Sequence, residues 1–192
     1  MNKIIFSTAK TLVVISLVFA AVCCKKDDPS KNDPNAIPDG GLTIGMEFRG
    51  GIVAYIDSTG QHGLIAAPSD QSDSIEWGGY GITTNATGAK IGTGQHNSTA
   101  IITAIGSGNY AAKLCDDLIL NDSTDWFLPS MDELNKLYIN RFEIGGFDTS
   151  AFYWSSSEYT NNSAWTQNFS YSGPLYCAQK NQLYKVRAVR YF

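Results

Sequence analysis

Residues 153–169, YWSSSEYTNNSAWTQNF, leave few folds open to this chain. Two tryptophans, two tyrosines and a phenylalanine are interleaved with serine, threonine and asparagine, around TNNS, a four-residue turn candidate. Successive side chains of a strand point to opposite faces, so the two runs read as an antiparallel hairpin. Pairing Tyr159 with Ala164 sets Trp154 opposite Phe169, Ser156 opposite Gln167 and Glu158 opposite Trp165. One face then carries Trp154, Ser156, Glu158, Trp165, Gln167 and Phe169. The other carries Tyr153, Ser155, Ser157, Tyr159, Ala164, Thr166 and Asn168. Glu158 is the only formal charge in the stretch. Such a hairpin is either one wall of a core or a surface that holds a ligand.

The rest of the chain supplies shorter elements. GGIVAYID reads as a buried strand, STGQHG as a turn and LIAAP as a second strand ending at Pro68, together a hairpin. Residues 69–97 read as a long loop packed by Trp77 and Tyr80. STAIITAI is a helix candidate interrupted by Gly106-Ser107-Gly108. NYAAKLCDDLIL then places Ala111, Ala112, Leu114, Cys115, Leu118 and Ile119 on one helical face. Ser130 and Glu133 have capping-box spacing ahead of Leu134, Leu137 and Tyr138. LYKVRAVRYF reads as one last strand. Strands, then helices, then strands predict an α+β domain. The 43% hydrophobic and 17% charged residues suit a globular chain of this type.

The N-terminus carries an address. Lys3 and Lys10 flank and precede TLVVISLVFAAV, an apolar run of a dozen residues, too short to span a bilayer as a helix of roughly 20 residues. Cys23 and Cys24 follow, then KKDDPSKNDPN. CKKDD resembles the start of Bacteroidota-type surface lipoproteins. This implies a signal peptide over 1–23, lipidation at Cys24 with Cys23 as the alternative, and anchoring in the outer membrane facing the cell surface. A plain secretory peptide is the other reading. Residues 24–44, rich in proline, glycine and charge, are expected to be a tether, leaving 45–192 as the folded domain.

Few motifs point to chemistry. The net charge of −4, more acidic once a leader removes Lys3 and Lys10, disfavours nucleic acid as a partner. Cys115 and Cys177 are an even pair in an exported chain, which predicts a disulfide, with two separate thiols as the alternative. His62 and His96 each close a TGQH tetrapeptide and read as turn residues rather than half a metal site, so neither metal nor cofactor is expected. Glu76, Glu133, Glu143 and Glu158 are the carboxylates a glycosidase would draw on, but capping and surface roles explain them equally.

Taken in order, GGIVAYID…GQHGLIAAP, IGTGQHNSTAII, AAKLCDDL, WFLPSMDELNKLY, YWSSSEY…AW and VRAVR resemble the Lcl C-terminal domain family from about Gly45 to Phe192. The resemblance implies a C-type-lectin-like fold, with two helices flanking a small twisted antiparallel sheet whose N- and C-terminal strands are adjacent. It also implies a surface role, in some members adhesion to glycans or matrix. It supplies no catalytic set. Ala188 stands where many relatives place a cysteine, and the calcium motifs of true C-type lectins are missing. The expected function is therefore a non-enzymatic recognition domain on a lipid-anchored surface protein, binding a glycan or a protein. The ligand residues are expected at the aromatic hairpin: Trp154, Glu158, Tyr159, Asn161, Asn162 and Trp165. An envelope enzyme acting on glycans and a structural module of a surface assembly are the rival classes. The oligomeric state is left open.

Overall fold

The computed structural model describes residues 35–192. The expected leader with Cys23 and Cys24, and the expected tether up to residue 34, lie outside the described residues. Of the remaining tether stretch, Ile37, Leu42 and Ile44 are half-buried against the core, and Arg49 donates to the Asn35 carbonyl at 2.7 Å.

Two sheets organise the described residues. The first has four antiparallel strands in the order β1 (Glu47–Phe48), β2 (Gly51–Ile56), β3 (Gly63–Ala66) and β9 (Val189–Tyr191). The second has five, in the order β4 (Ser72–Glu76), β8 (Leu183–Val186), β5 (Phe152–Thr160), β6 (Ser163–Asn168) and β7 (Leu175–Gln179). Its β5–β8 pair is parallel. Between β4 and β5 lie four short helices, α1 (Gly94–Ile105), α2 (Ala111–Asp116), α3 (Met131–Ile139) and α4 (Arg141–Ile144).

The expected two-helix, lectin-like α+β arrangement is therefore corrected: among the described residues this is a mainly β fold with nine strands and four short helices. The N- and C-terminal strands share a sheet but occupy its opposite edges; β9 pairs with β3, not with β1. The physical reason lies in how the apolar residues are distributed. They come in runs of a few residues, β-branched or aromatic, which suit strands. The helical runs are cut by Gly106 and by Asp116-Asp117, so α2 ends before Leu118, and Ile119 is left exposed.

The strands with the densest apolar sequence are buried on both faces. In β2 and β3, Val53 and Ile65 face one core with Trp77, Ile101 and Trp154, while Ala54 and Leu64 face a second with Phe127, Leu134 and Phe169. β5 divides the same two cores, Trp154 entering the first and Tyr153 the second. Double-sided burial explains why these segments lack a clean polar alternation.

The expected last strand is two strands in different sheets. β8 belongs to the five-stranded sheet and β9 to the four-stranded one, and the chain crosses at Arg187-Ala188. Arg187 is buried at the crossing. Its guanidinium donates to Asp70 Oδ1 at 2.7 Å and to the carbonyls of Ala67 and Gly146, and lies 4.1 Å over the Phe147 ring.

The capping box is present at the start of α3. Ser130 Oγ accepts from the Glu133 amide, and the Ser130 amide donates to Glu133 Oε2 at 2.7 Å. Glu133 also accepts from the Gly92 amide and the Tyr191 hydroxyl, so one buried carboxylate ties α3 to the start of α1 and to β9. A Cβ on Gly94 would lie 2.2 Å from Glu133 Oε2, which is why the first residue of α1 has no side chain. Ser130→Ala is expected to cost about 1–2 kcal/mol, measured by denaturant unfolding. An unchanged midpoint would refute the cap's contribution.

The expected disulfide is not formed. Cys115 is a buried free thiol on α2, packed in the first core, and Cys177 is an exposed free thiol on the edge strand β7. Burial raises the pKa of Cys115 far above the usual thiol value, so it remains an inert thiol.

Candidate functional site

The β5–β6 hairpin is the most elaborated part of the surface, and its register explains why. Thr160 pairs with Ser163, as the expected frame requires. Glu158 then pairs with Ala164 instead of Trp165, and Trp154 with Thr166 instead of Phe169. Register shifts on either side of Glu158 insert extra residues into β5. The serines fill the shifted segment. The Ser156 amide donates to the Pro129 carbonyl and the Glu158 amide to the Ala86 carbonyl, both at 2.8 Å. Ser157 Oγ donates to the Gly88 carbonyl and accepts from the Met131 amide. Ser155 Oγ caps the Trp165 carbonyl at 2.8 Å. Small hydroxyl side chains let two loop segments, residues 86–88 and 129–131, approach this strand and satisfy their buried polar groups.

The hairpin tip is braced from below by a buried ion pair. Lys180 Nζ donates to Glu158 Oε1 at 2.6 Å and to the Ile82 carbonyl at 2.8 Å, and lies 4.4 Å over the Trp77 ring. The Glu158 carboxylate also accepts from the Thr84 and Asn85 amides at 2.9–3.1 Å. Asn85 has φ +62, a left-handed conformation that Asn tolerates. Both side chains of the pair are almost wholly buried. Burial pushes the Glu158 carboxyl pKa up, but Lys180 and the Thr84 amide outweigh it and hold the value below the ordinary range. Burial also depresses the Lys180 ammonium, against the pull of Glu158.

Above this brace the surface carries no formal charge. Residues 79–84 are GYGITT and residues 159–163 are YTNNS. The loop and hairpin are laced together: the Gly81 amide donates to the Asn161 carbonyl at 3.0 Å, and the Lys180 amide to the Asn162 carbonyl at 2.9 Å. Tyr159 is 58% exposed and meets the half-buried Trp165 edge-to-face, with centroids 5.4 Å apart. Tyr80 and Ile82 are exposed on the neighbouring loop at 49% and 41%.

Of the residues expected to hold ligand, the structure gathers Tyr159, Asn161, Asn162 and Trp165 at the tip. Trp154 is elsewhere, at 0% exposure in the first core, with Nε1 donating to the Ile75 carbonyl. Glu158 is beneath the tip, with its oxygens committed to protein donors. Lys180, Trp77, Tyr80 and Ile82 were missed as partners of this site. The lone charge of the hairpin was the available signal, since a buried carboxylate demands a cation. The arrangement offers aromatic edges and faces, amides and hydroxyls on a stiffly held platform, which is equipment for stacking and hydrogen bonding.

A family model, the Lcl C-terminal domain, matches residues 68–190. Among solved structures the chain is similar to a fimbrial protein from Bacteroides ovatus ATCC 8483, with a TM-score of 0.52 and 16% identity. That match covers 72% of this chain and 43% of the other, and at this identity it concerns the fold alone. It agrees with the mainly β architecture. No curated protein matches the sequence.

Proposed function

The chain belongs to the Lcl C-terminal domain family, and from that premise we propose that it is a non-enzymatic recognition module, displayed at the cell surface, that binds a glycan or a protein through the tip of the β5–β6 hairpin. The observation that carries this reading is the uncharged, aromatic and amide-bearing tip locked by the Glu158–Lys180 pair. A binding surface held rigid before its ligand arrives loses less entropy on association. The fold shared with a fimbrial protein supports a surface setting. The lipid anchor at Cys24, with Cys23 as the alternative, and outer-membrane attachment belong to the same proposal, supported by the leader and the tether composition.

Glycan-array and pull-down screening of the full chain tests the reading. Tyr159→Ala and Asn161→Ala are expected to abolish specific capture by about tenfold or more, while the melting temperature stays within a degree or two, because both side chains are exposed. Capture that survives both substitutions, or turnover of a polysaccharide by the wild-type chain, would sink it.

A further inference from the structure

A sheet edge is a row of unanswered backbone groups, and folded chains protect it. Among the described residues, three of the four edges are protected. β1 is two residues long and carries Glu47. β4 carries Asp73 and Glu76 and has a register shift against β8. β9 carries Arg190, and on the side away from β3 its Val189 exchanges backbone bonds with Phe127. β7 has none of these devices. Its sequence is LYCAQ, and no formal charge occurs from Tyr159 to Gln179. Pro174 lies before the strand, not in it, and the pairing with β6 runs from Leu175 to Gln179 without a shift. The Asn168 amide donates to the Pro174 carbonyl and the Lys180 amide to the Asn162 carbonyl. Antiparallel ladders alternate, so Tyr176 and Ala178 turn their backbone groups toward β6, and Leu175, Cys177 and Gln179 turn theirs outward. Among the described residues, only the Gln179 carbonyl of that outward set has a partner, the Gln182 amide at 2.9 Å. The side chains of Leu175, Tyr176, Cys177 and Gln179 are all exposed.

We propose that β7 is a self-association edge, on which two copies of this chain pair antiparallel about a two-fold axis at Cys177 and join their five-stranded sheets into one. The strand fits itself. Cys177 exchanges both backbone bonds with Cys177 of the second copy, and Leu175 lies opposite Gln179 of the second copy on either side of the axis. On the other face Tyr176 lies beside Ala178 of the second copy, so a large ring meets a small side chain and never another ring. No charge opposes a like charge. A strand of unrelated sequence would use the same backbone groups, but it would have to set a small residue against Tyr176 and avoid bulk at the axis. The self-pair meets both conditions. It also brings the two Cys177 Cα atoms to about 5.5 Å, within the span of a disulfide, so the exposed thiol reports the pairing. One short strand makes a small interface, and the association belongs to the weak, concentration-dependent class. The pairing does not depend on what the hairpin tip binds.

The test is sedimentation equilibrium of the full chain with reductant, in density-matched detergent in excess so that the apolar leader does not drive association, beside cross-linking by diamide. Diamide takes two electrons and two protons from a pair of thiols and leaves an Sγ–Sγ bond. The wild-type chain is expected to dimerise with Kd about 10–100 μM. It should form a Cys177–Cys177 cross-link, identified by peptide mass spectrometry, while buried Cys115 stays unmodified. Cys177→Ser should keep Kd within about threefold. Cys177→Lys should weaken association about tenfold or more, because it sets two ammonium groups against each other on the axis. Its melting temperature should stay unchanged, since the side chain is exposed. Leu175→Cys in the Cys177→Ser background should cross-link about tenfold more slowly than the wild type, because antiparallel pairing holds its two thiols roughly 14 Å apart. A monomer at about 200 μM would overturn the proposal, and so would a Kd that Cys177→Lys leaves unaltered. Cross-linking of the Leu175→Cys variant as fast as the wild type would overturn the antiparallel axis at Cys177.

Discussion

Lys180→Met should destabilise the chain by about 3–5 kcal/mol near neutral pH, because it strands an ionised carboxylate in the interior. Glu158 would keep its bonds from the Thr84 and Asn85 amides but lose the cation at 2.6 Å. The methionine fills the volume beside Trp77, so the effect reports charge rather than a cavity. The pH dependence has a definite sign. In the wild-type chain the Glu158 pKa is lowered from the ordinary 4.5, so its contribution is present above that value and fades as pH falls through the lower folded value. Without Lys180, burial dominates and the folded carboxyl takes up its proton earlier. The difference between variant and wild type should therefore be widest near pH 7 and narrow on acidification below about pH 4. Urea unfolding at the two pH values measures it. A constant difference would mean that the pair's electrostatics do not matter. Adding Glu158→Leu should not restore stability, since two loop amides would then lose their acceptor.

Trp154→Ala is expected to cost about 3–5 kcal/mol, or roughly 10 °C in melting temperature for a domain of this size. The indole is fully buried between Ile75 and Tyr184, with ring centroids of Trp154 and Tyr184 4.8 Å apart. Its removal opens a large void and leaves the Ile75 carbonyl without its donor. Tyr159→Ala, five positions further along the same strand, should barely move the same transition. A thermal melt of both variants separates the two roles of the hairpin's aromatics. If Trp154→Ala melted like the wild type, the residue would have to be read as part of a surface instead.

The sequence made some of this legible. Local signals survived: the β2–β3 hairpin, the interruption at Gly106–Gly108, the Ser130–Glu133 cap and the turn at residues 160–163. These depend on neighbours a few residues apart. What failed depended on distant ones. SDSIE has one apolar residue, Ile75, and so reads as loop; it is the strand β4 through its pairing with β8, more than a hundred residues later. The expected hairpin register holds at the turn and fails beyond it, since nothing local says that Ser156 and Ser157 bond to Gly88, Pro129 and Met131 rather than to β6. The ligand residues divided along the same line. Exposed Tyr159, Asn161 and Asn162 follow from a polar turn, whereas the burial of Trp154 and Glu158 follows from the two cores that meet at β5. LYKVRAVRYF looked like one strand because its apolar pattern is unbroken across Arg187, and the break is set by Asp70 on another element.

That break governs the order of assembly. Leu64 pairs with Tyr55 nearby but gains its second cross-strand partner in Tyr191, and Ser72 gains its partner in Val186, so both sheets take their last pairing from the same short stretch. Contacts this remote form slowly, after the local β2–β3 and β5–β6–β7 pairings, so the stretch from β8 to β9 is the clasp that joins the two sheets last.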